Sequence, residues 1–325
     1  MKRVFALVLS ATLMFAMVIC VPVLAPAEAA LPAKELHFVY VSPLLSHPFW
    51  LVCKDGFDQA CAELGIKGDW VGPQNIAPEE MAKLIETAVV QKADGIITQG
   101  LVPAAPLKYA EEADIPVIVV DSDIPDAKRV AYIGKDYDKQ AISFLEAAQR
   151  VWGEDTPLVV SIQVAALNYK TATDAIECIE KIFAQHPGGF EIVNKHESKS
   201  EKMKAATEWQ NSFTAYPEIN VAISLGDEGG AACGMVVQEM GIKDKVGVFA
   251  VGDHEETVDM LRSGAIDATV VCSNFNYGYQ AAYWLYQNIT EGKTPKEISN
   301  DSGTLLVTLD NVDTYHEALK QKVDL

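Results

Sequence analysis

Along the chain, short unbroken apolar runs alternate with longer segments whose apolar residues recur every three or four positions. The runs read as strands over about 35–42, 69–72, 97–100, 116–120 and 130–133. The periodic segments between them read as helices over about 49–64, 77–92 and 104–112. In the helix at 77–92, Met81, Leu84, Ile85, Ala88 and Val89 share one face. A further helix runs from Asp136 to about residue 151. A second alternating set follows, with strands at 158–163, 190–194, 221–225, 246–251 and 268–272. Its helices fall at 171–185, 200–215, 229–241 and 255–263. The chain closes with a helix at 277–291, a strand at 305–308 and a helical segment at 311–319 for which Asn311 is the expected N-cap. Strand and helix alternating at this spacing predict parallel sheets. No low-complexity linker separates the sets, so two similar, closely tied lobes are expected.

The stretch from Pro116 to Asp136 organises this pattern. Ile118, Val119 and Val120 form the continuous β-branched run of a strand covered on both faces. The run stops at Asp121, and the next strand ends in Gly134, Lys135 and Asp136. Ligands of open parallel sheets sit outside the carboxyl ends of the strands, where both acids stand. A turn-capping role would also place an Asp at position 121. The same strand-then-acid arrangement returns at Asp227 and Asp253, and Gln163 ends another strand on that side.

Composition narrows the chemistry. The 325 residues carry 26 basic and 45 acidic side chains, a formal charge of −19. That argues against nucleic acid and anionic membrane surfaces, which need clustered Lys and Arg. Arginine, which binds phosphate and carboxylate in bidentate fashion, occurs only at positions 3, 129, 150 and 262, so anionic ligands are disfavoured. Lys2 and Arg3, an apolar segment to about Leu24 and the small residues around Ala29 read as a secretory signal over residues 1–29, with the alternative of an uncleaved anchor. Removing Cys20 with the signal leaves five cysteines, which cannot all pair internally. Cys53 and Cys61 lie about 12 Å apart along one predicted helix and cannot bridge. No Cys/His cluster suggests a metal, and no nucleophile motif, phosphate loop or GxGxxG suggests an enzyme or a bound cofactor.

Read in order, HPFWLVCKDGFDQACAELG, IPVIVVDSDIP, VAYIGKDYDKQ, SLGDEGGAACG, VGVFAVGDHEET and TLLVTLDNVDTY resemble the periplasmic sugar-binding proteins of ABC importers, the ribose-binding type with the type I periplasmic fold. The resemblance implies an α/β architecture of two similar doubly wound parallel-sheet lobes joined by three hinge crossings, near 134–136, 272–274 and 301–304. The lobes would comprise residues 31–134 plus 274–301 and residues 135–273 plus 302–325, closing on a ligand by hinge motion. It implies stacking aromatics at Phe49 and Trp50, which could equally be helix core, beside His47 where the family usually has Asn. It places ligand-binding polar groups at Asp121, Asp136, Asp227, Asp253 and Asn274. Asn168 is a further ligand-binding candidate, in a region where the family's arginine is absent, which leaves the ligand's identity open.

The function implied is capture of a small neutral polar ligand, a sugar or polyol, by a monomeric periplasmic protein that delivers it to the membrane subunits of an ABC importer. A sensory partner presenting its ligand to a receptor, or a binder of nucleosides, are the alternatives. A glycosidase using two of the carboxylates is the competing enzymatic reading.

Overall fold

The computed structural model describes residues 36–320. The expected secretory signal lies outside the described residues. Twelve strands form two sheets of six, in the orders β11-β5-β4-β3-β1-β2 and β12-β10-β9-β8-β6-β7.

In the first sheet, β1 (His37–Val41), β2 (Lys67–Val71), β3 (Gly95–Gln99), β4 (Val117–Asp121) and β5 (Ala131–Gly134) pair in parallel. The strand period of two assigns their side chains. Phe38, Tyr40, Ile118 and Val120 face one apolar cluster, while Val39, Val41, Val117 and Val119 face another. Burial on both faces is why these strands read as unbroken apolar runs. Helices α2 (Pro78–Val90) and α3 (Ala105–Glu112) cover the second cluster, with Met81, Ile85 and Leu107 inward. Helix α1 (Pro48–Leu64) and helix α9 (Asn276–Glu291) cover the first.

Helix α1 has sharply marked ends. Pro48 occupies its first turn, where a missing N–H costs nothing. Gly65 ends it in the left-handed conformation at φ 65°, its N–H bonded to the Cys61 carbonyl. Its inward stripe is Trp50, Cys53, Phe57, Ala60 and Cys61. Gly56 and Gly278 bring α1 and α9 into backbone contact. A Cβ on Gly278 would overlap the Cys53 carbonyl, and one on Gly56 would overlap the Phe275 carbonyl. The five cysteines among the described residues are all free thiols.

The second sheet holds β6 (Leu158–Val164), β7 (Phe190–Glu197), β8 (Val221–Ser224), β9 (Gly247–Val251) and β10 (Ala268–Val271). Its helices are α4 (Tyr137–Trp152) and α5 (Lys170–Phe183) on one face, and α6 (Lys202–Ala215), α7 (Asp227–Glu239) and α8 (Glu255–Arg262) on the other. Strand β7 runs to Glu197, three residues past the expected end.

The chain passes between the sheets after β5, after β10, and between β11 (Ser299–Asp301) and β12 (Leu305–Val307). These passages lie side by side. The Ser302 N–H donates to the Gly134 carbonyl at 2.9 Å, and Asn276 Nδ2 donates to the Ser302 carbonyl at 2.8 Å. Strand β11, which has no apolar signal, pairs in parallel with β5. Strand β12 departs from the expected parallel order and runs antiparallel to β10. The reason is the short link from β11: the chain leaves one sheet at its cleft end and enters the other from the cleft, opposite to β10. Asn311 is not an N-cap. The final helix α10 starts later, at Tyr315–Leu319, and the Asn311 side chain instead braces the preceding turn between the Thr308 N–H and the Leu306 carbonyl.

Candidate functional site

The carboxyl ends of both sheets face a common cleft of about 620 Å³. One wall comes from the start of α1 and the end of β4. The opposite wall comes from the ends of β6, β8 and β9 and from α5. The three passages form the floor.

The structure brings seven of the sequence-predicted residues to this lining: His47, Phe49, Asp121, Asp136, Asp227, Asp253 and Asn274. Three others lie elsewhere. Trp50 is 6% exposed and packs into the core under α1, its ring edge-on to Phe49 at 4.9 Å. Trp50, Cys53 and Phe57 share a helical stripe, so Phe49, one residue earlier, turns to the cleft. Asn168 is exposed on the loop before α5 and does not line the cleft; Tyr169 takes that place. Lys170, the first residue of α5, pairs with Asp174 at 2.7 Å.

Gln163 is fully buried. Its Nε2 lies 3.3 Å from His196 Nδ1 and 3.1 Å from the Ala205 carbonyl, inside the second lobe under α6. His196 stands edge-on to Trp209 at 4.6 Å. Burial holds its imidazole down at about 4, against roughly 6.5 in an unfolded chain. The unfolded state therefore takes up a proton before the folded state does. Stability from the neutral ring is fully present above about pH 6.5 and is lost as pH falls towards 4. Thermal melts of wild type and His196→Gln across that interval should diverge, with the wild type losing more; a constant difference from pH 8 to 4 would remove this account.

Asp121 has an unusual backbone. Its φ is +61°, and the Ser122 N–H reaches the Val120 carbonyl at 2.7 Å. This is a γ-turn with a left-handed centre, a strained arrangement that Asp tolerates better than most residues. The Tyr132 hydroxyl pins the turn by donating to the Asp121 carbonyl at 2.8 Å. Gln99 Nε2 holds the carboxylate through Oδ2 at 3.1 Å. The strand thus stops abruptly, with its terminal acid fixed at the cleft.

The other acids also have protein partners. Asp136 caps α4 by accepting the Lys139 N–H at 2.9 Å. Asp227 lies 3.3 Å from His254 Nε2, and Asp253 accepts from the Tyr315 hydroxyl at 3.3 Å. Across the passages, Lys139 Nζ sits 2.9 Å from Asp301. Desolvation alone would raise the Asp301 pKa, but donors from Lys139, Thr304 and Gly303 hold the carboxyl below its ordinary range. Among the lining groups that sequence reasoning missed are Lys135 and Tyr169.

Carboxylates are pure acceptors, and aromatic faces such as Phe49 and Tyr169 suit flat apolar surfaces of small rings. The site can therefore hold a hydroxylated ring between acceptors and aromatics. No group of His, Cys, Asp and Glu among the described residues could hold a metal ion.

The sequence model of the periplasmic binding protein domain matches residues 38–294, from β1 through α9. The chain belongs to the periplasmic binding protein family. Among its relatives, the ribose import binding protein RbsB of Escherichia coli is 24% identical over 250 residues, covering 76% of this chain and 82% of that protein. The xylose/arabinose-binding protein XylF of Sulfolobus acidocaldarius is 23% identical over 293 residues, covering 85% of this chain and 72% of that protein. In structure, a solute-binding protein of an ABC transporter from Burkholderia graminis, solved in complex with D-arabinose, superposes with a TM-score of 0.71 at 25% identity, over 87% of this chain and 98% of that one. Family members of this architecture are two-lobed binding proteins, and this chain has their two facing sheets.

Proposed function

We propose that this periplasmic binding protein captures a sugar or closely related polyol in the cleft and delivers it to the membrane subunits of an ABC importer. The observation that carries the reading is the cleft itself. Asp121, Asp136, Asp227 and Asp253 line one cavity with the aromatic side chains of Phe49 and Tyr169. Four carboxylates, which only accept, suit a ligand that supplies many hydroxyl protons. The names of the ribose and xylose/arabinose relatives support the same class. The cleft offers binding rather than turnover, and the protein acts as a monomer in the periplasm. No helix among the described residues is long and apolar enough to cross a membrane.

A ligand held only by the folded protein raises its stability by about 2.7 kcal/mol at about a hundredfold excess over Kd. Melting should therefore rise by about 5–10 °C with the right member of a panel of D-ribose, D-xylose, L-arabinose, D-galactose and common alditols. A flat response to the whole panel would sink the sugar reading. Native mass spectrometry of the protein as purified would identify any ligand carried along.

A further inference from the structure

Lys135 lies in the first passage, between β5 and α4, and its side chain lines the cavity. It differs from the cleft acids in how it is held. Asp121, Asp136, Asp227 and Asp253 each have a protein partner. Among the described residues, no hydrogen bond or ion pair within 4.0 Å engages the Lys135 ammonium.

Its surroundings nevertheless keep it charged. The residue is solvent-exposed at the cleft; such desolvation as pulls the ammonium down is outweighed by Cys272, Asp121, Tyr137 and Asp227 around it, which hold its pKa above the ordinary lysine value. Asp121 and Asp227 belong to opposite walls, and Lys135 lines the same cavity from the first passage at its floor. The acids still outnumber it, which opposes a negatively charged ligand. An ammonium offers three donors and no acceptor. The complementary group on a neutral ligand is an oxygen with free lone pairs. In a cyclic sugar, the ring oxygen can only accept, and none of the four carboxylates can satisfy it.

We propose that Lys135 is a specificity-determining residue that donates to an acceptor oxygen of an uncharged cyclic sugar and disfavours an amino group at that position. This rests on the sugar reading and adds to it the class of sugar: neutral, neither acidic nor amino. The acids fix hydroxyl protons, and Lys135 fixes the one atom that has no proton to give.

The test is titration calorimetry of wild type, Lys135→Met and Lys135→Arg. The probes are D-ribose, D-xylose, L-arabinose and D-galactose, with D-galactosamine and D-galacturonate as charged counterparts of the last. Lys135→Met should weaken the tightest-binding neutral sugar about tenfold to hundredfold, while Lys135→Arg loses less. Melting without ligand should stay within a few degrees of wild type in both, since no ion pair is broken. The ratio of galactosamine to galactose affinity should rise in Lys135→Met, which a merely structural role would not produce. Unchanged sugar affinity in Lys135→Met overturns the inference and leaves the sugar reading standing. So does wild-type preference for galacturonate over galactose. If wild type binds none of the probes, both fall together.

Discussion

Asp121→Asn is expected to lower sugar affinity about tenfold to hundredfold and leave the unliganded melting temperature nearly unchanged. The substitution keeps what the fold needs at this position. Asn is tolerated in the left-handed conformation as well as Asp, so the γ-turn at φ +61° survives. Its amide oxygen can still accept from Gln99 Nε2, and Tyr132 still bonds the backbone carbonyl. What is lost faces the cleft: a charged acceptor oxygen becomes a donor NH₂. A hydrogen bond to a charged group is worth roughly 1.5–3 kcal/mol, which gives the stated fold-change. Asp121→Ala is the contrasting variant. It also loses affinity, but it puts an ordinary residue into a strained turn and should destabilise the unliganded protein by about 1–3 kcal/mol. Calorimetric titration with the best-binding panel sugar, and melting without ligand, measure both. Unchanged affinity in Asp121→Asn would show that the acid serves the turn alone.

The second large effect is on stability. Gly278→Ala should lower the melting temperature by about 5–10 °C. The added methyl has nowhere to go, because it would meet backbone atoms of α1 at Cys53 and Phe57 rather than a side chain that could swing away. Overpacking of this kind costs about 1–3 kcal/mol, occasionally more, and each kcal/mol moves the melting point of a protein this large by about 2–4 °C. The same shift would displace the start of α1, which carries His47 and Phe49 to the cleft. Affinity should therefore fall as well, although Gly278 touches no ligand. A melting temperature within a degree of wild type would mean that the two helices can separate freely.

Much of this architecture was legible because the relevant residues obey one local rule each. Ile118, Val119 and Val120 announce a strand buried on both faces, and Pro48 and Gly65 bracket α1. The misreadings arose where tertiary packing decides. Strand β7 continues through Lys195, His196 and Glu197, a polar run that nothing local marks as a strand; the Trp209 ring and Gln163 bury the histidine from elsewhere in the chain. Strand β11 is Ser-Asn-Asp and exists because β5 offers it an edge. Trp50 was separable from Phe49 in principle, since the spacing of Trp50, Cys53, Phe57 and Ala60 is that of a core stripe. Gln163 follows Ile162 on a strand whose alternation turns it into the lobe. Lys135, after a glycine and before an acid, has the local look of a solvated turn. Only the cleft, completed from the second lobe by Asp227 and its neighbours, sets it in the lining.

The three passages between the sheets mean that no single cut of the chain separates the lobes, and they set the order in which each lobe can be completed. The core of the first lobe needs Phe275, Tyr277, Tyr279 and Leu285 against α1, and its outer strand β5 needs Asn300 as a neighbour. These residues follow the whole of the second sheet's parallel part, which comes from one uninterrupted run, 158–271. On a growing chain the lobe that is begun first is therefore left open until the parallel part of the second has been made. Until then it presents an uncovered helix face and an open sheet edge.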